Sequence, residues 1–308
     1  MRSTGSSSAS AAICAKMVST PCPTDDGTIS VYMGTSSVGQ GVETIFAQIA
    51  ADALELPVER ISDVHHGSTA YVSDGYGAYH SRSTVMGGSA LLAAADNFMT
   101  TLRQAAGKRL GCAESAVTLD LDKVVGPGGF SRPLKEFAGL TAEGAFLNKK
   151  HTYSYGAHAV HITVDPKLGR IEILDYVVVQ DVGRAINPLT LRGQVIGSLV
   201  QGLGGAVLED LKYDEQGQIL TGTLADYLLP VATDFPNLRC VVLDDHPSPI
   251  NPLGAKGAGE GGIVAAGGVM ANAVANALSA FGVEPRRLPL TPTYIWELVQ
   301  AGQKQAAE

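Results

Sequence analysis

The chain has 308 residues, of which 45% are hydrophobic and 17% are charged. This length can bury one large core or two smaller ones. The net charge of −8 argues against a nucleic-acid-binding surface. The four cysteines form no CxxC pair, which argues against a structural zinc or iron–sulfur site. Their low number is typical of a reducing compartment, so we expect a cytoplasmic protein. No apolar run is long enough, and free enough of polar residues, to span a membrane.

The first half predicts a flexible start followed by a strand, a loop and a helix. Residues 1–24 begin with a run of serine, alanine and glycine and show no signal-peptide pattern, so we expect a flexible segment. Alternation predicts a strand at 28–33, and apolar spacing predicts a helix at 42–54. In the loop between them, 34–41, Gln40 lies between two glycines. Its amide could contact a ligand or satisfy loop carbonyls, and both interpretations stay open.

A second junction of loop and helix follows at residues 80–84, before a helix that we predict at 85–102. Serine and threonine are ordinary N-cap residues. Three hydroxyl groups and an arginine at a helix start also form a favourable site for an anion. We interpret His65, His66 and His80 as solvated side chains, and no residue of the chain is predicted to be a metal ligand.

The second half repeats this order of elements. Residues 159–164 and 170–180 are predicted to form a β-hairpin. The polar loop 181–188 follows, and apolar spacing then predicts a helix at 191–208 with Gln194 near its start. As in the first half, a strand leads through a loop to an apolar helix that carries a Gly-Gln pair at or near its beginning.

This parallel predicts an α+β fold made of two similar mixed α/β subdomains. The first is expected at residues 25–148 and the second at 149–308. The second is also expected to contain extended segments at 226–230 and 238–244 and a final helix in 289–300 that starts near Thr293.

The stretch Asn251–Gly262 combines one acid, Glu260, and one base, Lys256, with five glycines. Glycine lets a backbone approach a ligand closely, and a buried helix predicted at 263–281 would place its positive end nearby. Such a site favours an anion and an ionised carboxylate, so Glu260 is a candidate general base. Glycine-rich turns before helices are equally common without a ligand. The spacing matches neither a Walker A loop nor a dinucleotide-binding fingerprint.

Taken as a set, the motifs resemble the C-terminal, molybdopterin-binding part of the large subunit in the xanthine oxidase/aldehyde oxidase family of molybdenum hydroxylases. They occur in the family's order over residues 27–282, although each motif alone is weak. The stretches that carry the resemblance are Gly39–Gly41, Ala47–Ala50, Ser81–Thr84, Tyr155–His158, Asp181–Pro188, Gly193–Gln194, Gln201–Gly204 and Asn251–Glu260.

The resemblance implies a role for each motif. Glu260 falls on the family's catalytic glutamate, which deprotonates Mo–OH for attack on an electron-poor carbon of an N-heterocycle or aldehyde, while hydride passes to Mo=S. The cofactor, expected between the two subdomains, is molybdopterin or its cytosine dinucleotide form. His80 departs from the smaller residue that is common in the family and could shape substrate choice. The residues expected at the cofactor are Gly39, Gln40, Gly41, His80, Ser81, Arg82, Ser83, Thr84, Gln194, Lys256 and Gly259.

The resemblance also implies partners. The family's N-terminal half, which holds much of the substrate channel, has no counterpart in this sequence, and neither does an iron–sulfur or flavin domain. We therefore expect the chain to act on a small molecule together with the N-terminal half of the molybdenum subunit, a [2Fe–2S] subunit and an FAD subunit. Two alternatives are a non-catalytic cofactor-binding or scaffolding fragment and a part of a carbon monoxide dehydrogenase-like large subunit. A dehydrogenase that binds NAD is poorly supported by the glycine spacing.

Overall fold

The computed structural model describes residues 13–18, 27–70, 72, 75, 77–147 and 150–306. The chain forms two compact units. The first comprises Met1–Tyr153, Gly183–Asn187 and Pro247–Gly257, and the second comprises Ser154–Val182, Pro188–His246 and Ala258–Glu308. Two stretches from the second half of the sequence therefore belong to the first unit. The predicted boundary between 148 and 149 lies outside the described residues and stays a prediction.

The first unit is built on a four-stranded sheet. Its strands and helices in chain order are β1 (Ile13–Val18), β2 (Ile29–Met33), α1 (Val42–Leu54), β3 (Ile61–His65), α2 (Gly88–Leu110), β4 (Thr118–Asp120), β5 (Lys123–Val125), β6 (Ser131–Pro133) and β7 (Thr141–Phe146). The sheet order is β3-β2-β1-β7, with β1 antiparallel to both neighbours and β3 parallel to β2. Strands β4, β5 and β6 form a small antiparallel sheet. Single helical turns lie at Val58–Arg60, Ser83–Gly87, Glu114–Ala116, Pro127–Gly129 and Leu134–Phe137.

The expectation of a flexible segment at residues 1–24 stays a prediction, and within this segment the structure describes strand β1. Its backbone pairs on both edges, for example with Ala15 opposite Met33 of β2 and opposite Gly144 of β7. Pairing between residues so distant in sequence leaves no local pattern from which the strand could be predicted. The other residues of the segment lie outside the part of the chain that the structure describes.

Helix α1 has the bounds that the apolar spacing predicts. Val42, Phe46 and Ile49 recur on one face and are buried in the core of the first unit. Helix α2 is longer than predicted, because Ala106 and Gly107 are also buried and extend its packed face. It ends at Leu110, where the following Gly111 adopts a left-handed conformation.

The second unit has the same succession of hairpin, helix and parallel strand. Its elements are β8 (Tyr155–Val164), β9 (Ile171–Asp181), α3 (Pro188–Val207), β10 (Leu238–Leu243), α4 (Gly261–Val264), α5 (Ala266–Ala277), a single turn at Ser279–Phe281 and α6 (Pro292–Gln305). Strand β9 pairs antiparallel with β8, as predicted for the hairpin, and parallel with β10. In the first unit β2 likewise pairs antiparallel with β1 and parallel with β3. The predicted α+β fold of two similar mixed subdomains is confirmed in this sense.

Three elements of the second unit differ from the prediction. The single helix expected at 263–281 is divided at Ala265 into α4 and α5, and the glycines of both lower helix propensity. Residues 226–230 form no strand in the structure. Helix α6 extends beyond the predicted end at residue 300 to Gln305. It begins at Pro292, close to the predicted start near Thr293, because the Thr291 side chain accepts a hydrogen bond from the Tyr294 amide and caps it there. Across the described residues, no helix combines the length and hydropathy needed to cross a bilayer.

Candidate functional site

The loop between β2 and α1 is shaped by glycines and by the side chain of Gln40. Gly39 and Gly41 have φ values of 96° and 82°, in the left-handed region that favours glycine. The Gln40 side-chain oxygen accepts from the Val38 amide at 2.6 Å, and its nitrogen donates to the Ser36 carbonyl at 3.3 Å. In this structure Gln40 therefore closes the loop on itself, which is the second of the two interpretations that its position allowed.

A histidine that we had interpreted as solvated fastens this loop to helix α1. The Ser37 amide donates to Nδ1 of His66 at 3.3 Å, so Nε2 carries the proton and contacts the Glu43 carboxylate at 2.9 Å. The Glu43 backbone amide, then Ser37 and His66, hold the pKa of Glu43 below its usual range. His66 directly follows β3, whose carboxyl end meets that of the parallel strand β2. This topology is the signal from which its role could have been found.

The turn before helix α2 lies against the same loop. His80 and Ser81 have φ values of 52° and 51°, a conformation that costs energy for residues other than glycine and clusters at functional sites. Buried Thr35, in the loop after β2, donates from Oγ1 to Oγ of Ser83 at 3.2 Å. Arg82 donates to the Tyr79 hydroxyl at 2.8 Å and stacks over its ring.

A third stretch, Pro247–Gly257, packs onto this turn within the first unit. A Cβ on Gly257 would lie 2.7 Å from Cβ of Ser81 and 2.9 Å from its carbonyl oxygen, so only glycine lets the two backbones lie this close. Asn251 holds the stretch by donating to the Ala255 carbonyl at 2.9 Å. Lys256 lies in the sequence between Ala255 and Gly257, the two residues that make these contacts.

Two further motifs meet through a side-chain hydrogen bond. Asn187, at the end of the Asp181–Pro188 motif, donates from its side chain to the Gln48 side-chain oxygen on α1 at 3.0 Å. The Arg184 amide of the same motif donates to the Gly254 carbonyl at 2.9 Å. The first unit thus gathers Gln40, the residues from His80 to Thr84, and Lys256.

The second unit contains Gln194, Gly259 and Glu260. Gln194 is half-buried on α3, and Glu260 is exposed where α4 begins. The peptide group between Gly261 and Gly262 is held at both its carbonyl oxygen and its amide nitrogen. The Gly261 carbonyl lies 3.1 Å from Nε2 of His158, and the Gly262 amide donates to Oγ of Ser198 at 3.1 Å.

Two side chains of strand β9 lie beneath this peptide. The hydroxyl group of Tyr176, which is fully buried, lies 2.9 Å from Nδ1 of His158. Burial lowers the pKa of His158 and raises that of Tyr176. Gln180 is only 2% exposed, and its side-chain oxygen has no hydrogen-bond partner among the described residues. Neither Gln180 nor Ser198 stood out in the sequence, since no local pattern marks a polar residue inside a strand or an apolar helix.

Metal-binding side chains are not clustered in the structure. Within the described ranges, no three histidine, cysteine, aspartate or glutamate side chains lie together as potential ligands.

Comparison with known proteins identifies the class to which this fold belongs. A family model described as the molybdopterin cofactor-binding domain matches residues 22–236. The chain belongs to this family, and its resemblance to the molybdopterin-binding part of molybdenum hydroxylase large subunits is confirmed.

Individual relatives cover nearly the whole chain. It is 40% identical over 294 residues to subunit gamma of the 6-hydroxypseudooxynicotine dehydrogenase complex of Paenarthrobacter nicotinovorans, with 90% of this chain and 37% of the relative covered. A Cu,Mo-CO dehydrogenase crystal structure in its carbon monoxide-reduced state superposes with a TM-score of 0.82 at 29% identity, over 94% of this chain and 38% of that one. The crystal structure of quinoline 2-oxidoreductase from Pseudomonas putida 86 superposes with a TM-score of 0.81 at 32% identity, over 94% of this chain and 38% of that one. The chain thus spans little more than a third of these relatives.

Proposed function

We propose that this chain holds the molybdenum cofactor of a hydroxylating oxidoreductase and supplies its general base. The observation that carries the proposal is the meeting of three sequence-distant loops in the first unit. The hydrogen bond from Thr35 to Ser83 joins the first two, and the packing of Gly257 on Ser81 joins the third. A binding site assembled from main chain and hydroxyl groups suits an anionic, heterocyclic ligand better than a bare metal ion.

The residues present fit a pterin that carries phosphate. Helix α1 begins at Gly41 without a side-chain cap, and a helix start of this kind offers backbone amides to an anion. Apart from Gly39 and its two chain neighbours, no atom of the described residues lies within 4 Å of the point where a Cβ on Gly39 would stand, so a ligand can approach the backbone there. Ser81, Ser83 and Thr84 would add hydroxyl donors, and Gly259, Gln194 and Lys256 are the further proposed contacts. The same residues would bind either molybdopterin or its cytosine dinucleotide form.

Glu260 is the residue that we propose to move a proton. When bound, the molybdenum cofactor supplies the two-electron oxygen-transfer chemistry. The carboxylate of Glu260 accepts, on one side-chain oxygen, the proton released as oxygen derived from water bonds to an electron-poor carbon. A positioned base of this kind contributes roughly 10²- to 10⁴-fold to a rate.

The relatives support a substrate class and a set of partners. The name of one contains 6-hydroxypseudooxynicotine and that of another contains quinoline, which supports an N-heterocyclic substrate over an aldehyde for this chain. The TM-score of 0.82 with Cu,Mo-CO dehydrogenase supports oxidation of carbon monoxide as the second candidate. Because the chain spans about a third of its relatives, we propose that the N-terminal half of the molybdenum subunit completes the site. An iron–sulfur subunit and an FAD subunit would carry the electrons away.

The test is Glu260→Gln in the assembled enzyme, assayed with quinoline and nicotine-derived heterocycles and with carbon monoxide. The amide keeps the shape of the side chain and cannot accept the proton, so we expect turnover to fall by about 10³-fold or more while molybdenum content stays at the wild-type level. Glu215→Gln, in an exposed turn, is the matched control and should leave turnover unchanged. Turnover of Glu260→Gln within severalfold of wild type would show that the base is another residue.

A further inference from the structure

We infer that His158 is a positioning residue that fixes the direction of Glu260 by holding the peptide that follows it. The inference rests on the proposed role of Glu260 as the base. His158 is part of the Tyr155–His158 motif, but nothing in the proposed chemistry uses it. Its imidazole instead contacts the backbone immediately after the proposed base.

Two different elements hold the two ends of one peptide group. His158, on strand β8, binds the carbonyl of Gly261, and Ser198, on helix α3, accepts the amide hydrogen of Gly262. Ser198 is itself oriented, because its hydroxyl donates to the Val195 carbonyl at 3.0 Å. A peptide plane held at both its oxygen and its nitrogen is restrained from rotating, and only the two backbone torsions of Gly261 separate it from the peptide that carries the Glu260 carbonyl.

Close packing removes the remaining freedom of this peptide. A Cβ on Gly261 would lie 2.0 Å from the Gln180 side-chain oxygen, and a Cβ on Gly262 would lie 2.4 Å from Oγ of Ser198. Both glycines therefore lie directly against the side chains below them. A larger residue at 261 would have to displace the end of the Gln180 side chain, and one at 262 would have to displace the backbone of α3.

The hydrogen bonds of His158 define one neutral tautomer. Only a protonated Nε2 can donate to the Gly261 carbonyl, so Nδ1 must accept from the Tyr176 hydroxyl. Burial lowers the pKa of His158 and favours this neutral form. Strand β9, which packs on β8, places Tyr176 against His158. Helices α4 and α5 contain no charged side chain, and Glu260 immediately precedes α4. Protonation of Nδ1 would remove this acceptor, so the Tyr176 hydroxyl would have to turn and accept from the ring instead.

The first experiment needs no turnover. Nitrogen-15 NMR of the purified protein at neutral pH should show His158 with its proton on Nε2. Exchange of the Gly262 amide hydrogen should be about 10-fold or more faster in His158→Ala than in wild type, and near wild type in His158→Gln, whose amide can still donate. His161→Ala, at an exposed position of the same strand, is the control. A proton on Nδ1, or unchanged Gly262 exchange in His158→Ala, would overturn the inference.

The second experiment uses the assembled enzyme. A displaced base should lower kcat by about 10- to 100-fold in His158→Ala with unchanged KM and molybdenum content, and His158→Gln should recover most of the loss. If His158→Ala fails to fold, Tyr176→Phe replaces it. Loss of the hydroxyl that orients the His158 ring should speed exchange of the Gly262 amide hydrogen, and unchanged exchange would be the contrary result. Wild-type kcat in a folded His158→Ala would refute the inference alone. Full turnover in Glu260→Gln would refute the proposed function, while the exchange result would still decide whether His158 holds the peptide.

Discussion

Gly262→Ala tests the packing beneath the proposed base most severely. The added methyl carbon would lie 2.4 Å from Oγ of Ser198, 2.5 Å from the Leu199 amide nitrogen and 2.5 Å from the Val195 carbonyl oxygen. Two of these three atoms are backbone of helix α3, so no side-chain rotation relieves the overlap. Helix α3 and the start of α4 would have to separate by roughly 1 Å to restore ordinary van der Waals distances.

The expected cost follows from this geometry. Overpacking of a core typically costs about 1–3 kcal/mol, and a clash with backbone belongs at the upper end, so we expect a loss of about 3 kcal/mol. At about 2–4 °C per kcal/mol for a unit of this size, Tm should fall by roughly 6–12 °C. Gly268→Ala is the matched control, because among the described residues no atom outside its two chain neighbours and the nearby backbone of α5 lies within 4 Å of its added methyl. Inside helix α5 the same change should stabilise by about 0.5–1 kcal/mol.

Thermal unfolding followed by circular dichroism compares the two variants under identical conditions. We expect Gly262→Ala to melt below wild type and Gly268→Ala to melt at or above it. Equal Tm values for the two variants would refute the argument that Gly262 is required by its contact with α3. The Gly262→Ala protein should also show faster exchange of the residue 262 amide hydrogen, since the bond to Ser198 cannot survive the separation.

Two other predictions concern buried polar groups of the second unit. Gln180→Met should leave the free energy of unfolding unchanged or raise it by about 1 kcal/mol. The reason is that the side-chain oxygen it removes is buried without a hydrogen-bond partner among the described residues. A decrease of more than about 2 kcal/mol, measured by urea unfolding, would contradict this prediction. The pKa of His158 is lower in the folded state than its unfolded-state value of about 6.5. The stability that His158 contributes is therefore fully present above about pH 6.5, and it is lost as the pH falls from there toward the folded-state pKa. Urea midpoints between pH 8 and pH 5 should therefore fall more for wild type than for His158→Gln, and parallel curves would contradict the assignment.

The elements that the sequence predicted are those whose pattern is local. Helix α1 follows from the spacing of Val42, Phe46 and Ile49, which a single helical face explains. The hairpin of β8 and β9 follows from alternation and from its turn, in which Asp165 accepts from two backbone amides and Gly169 has a positive φ of 67°. Each signal lies within about twenty residues and needs no knowledge of the rest of the chain.

What the sequence did not predict depends on contacts between distant segments. Strand β1 exists because two other strands pair with it. The assignment of 183–187 and 247–257 to the first unit depends on contacts such as those of Asn187 with Gln48 and of Gly257 with Ser81. His66 looked solvated because its partners, Ser37 and Glu43, are remote in sequence. The motifs pointed to the cofactor loops, while the side chains that hold those loops in place became visible only in the folded chain.

The central claim is that the chain holds a molybdenum cofactor. The most direct test is the molybdenum and pterin content of the protein after co-expression with its partner subunits in cells that synthesise the cofactor. We predict molybdenum and pterin in equal, stoichiometric amounts, retained in Glu260→Gln. Purified complex that contains neither would contradict it and leave a scaffolding fragment as the better description.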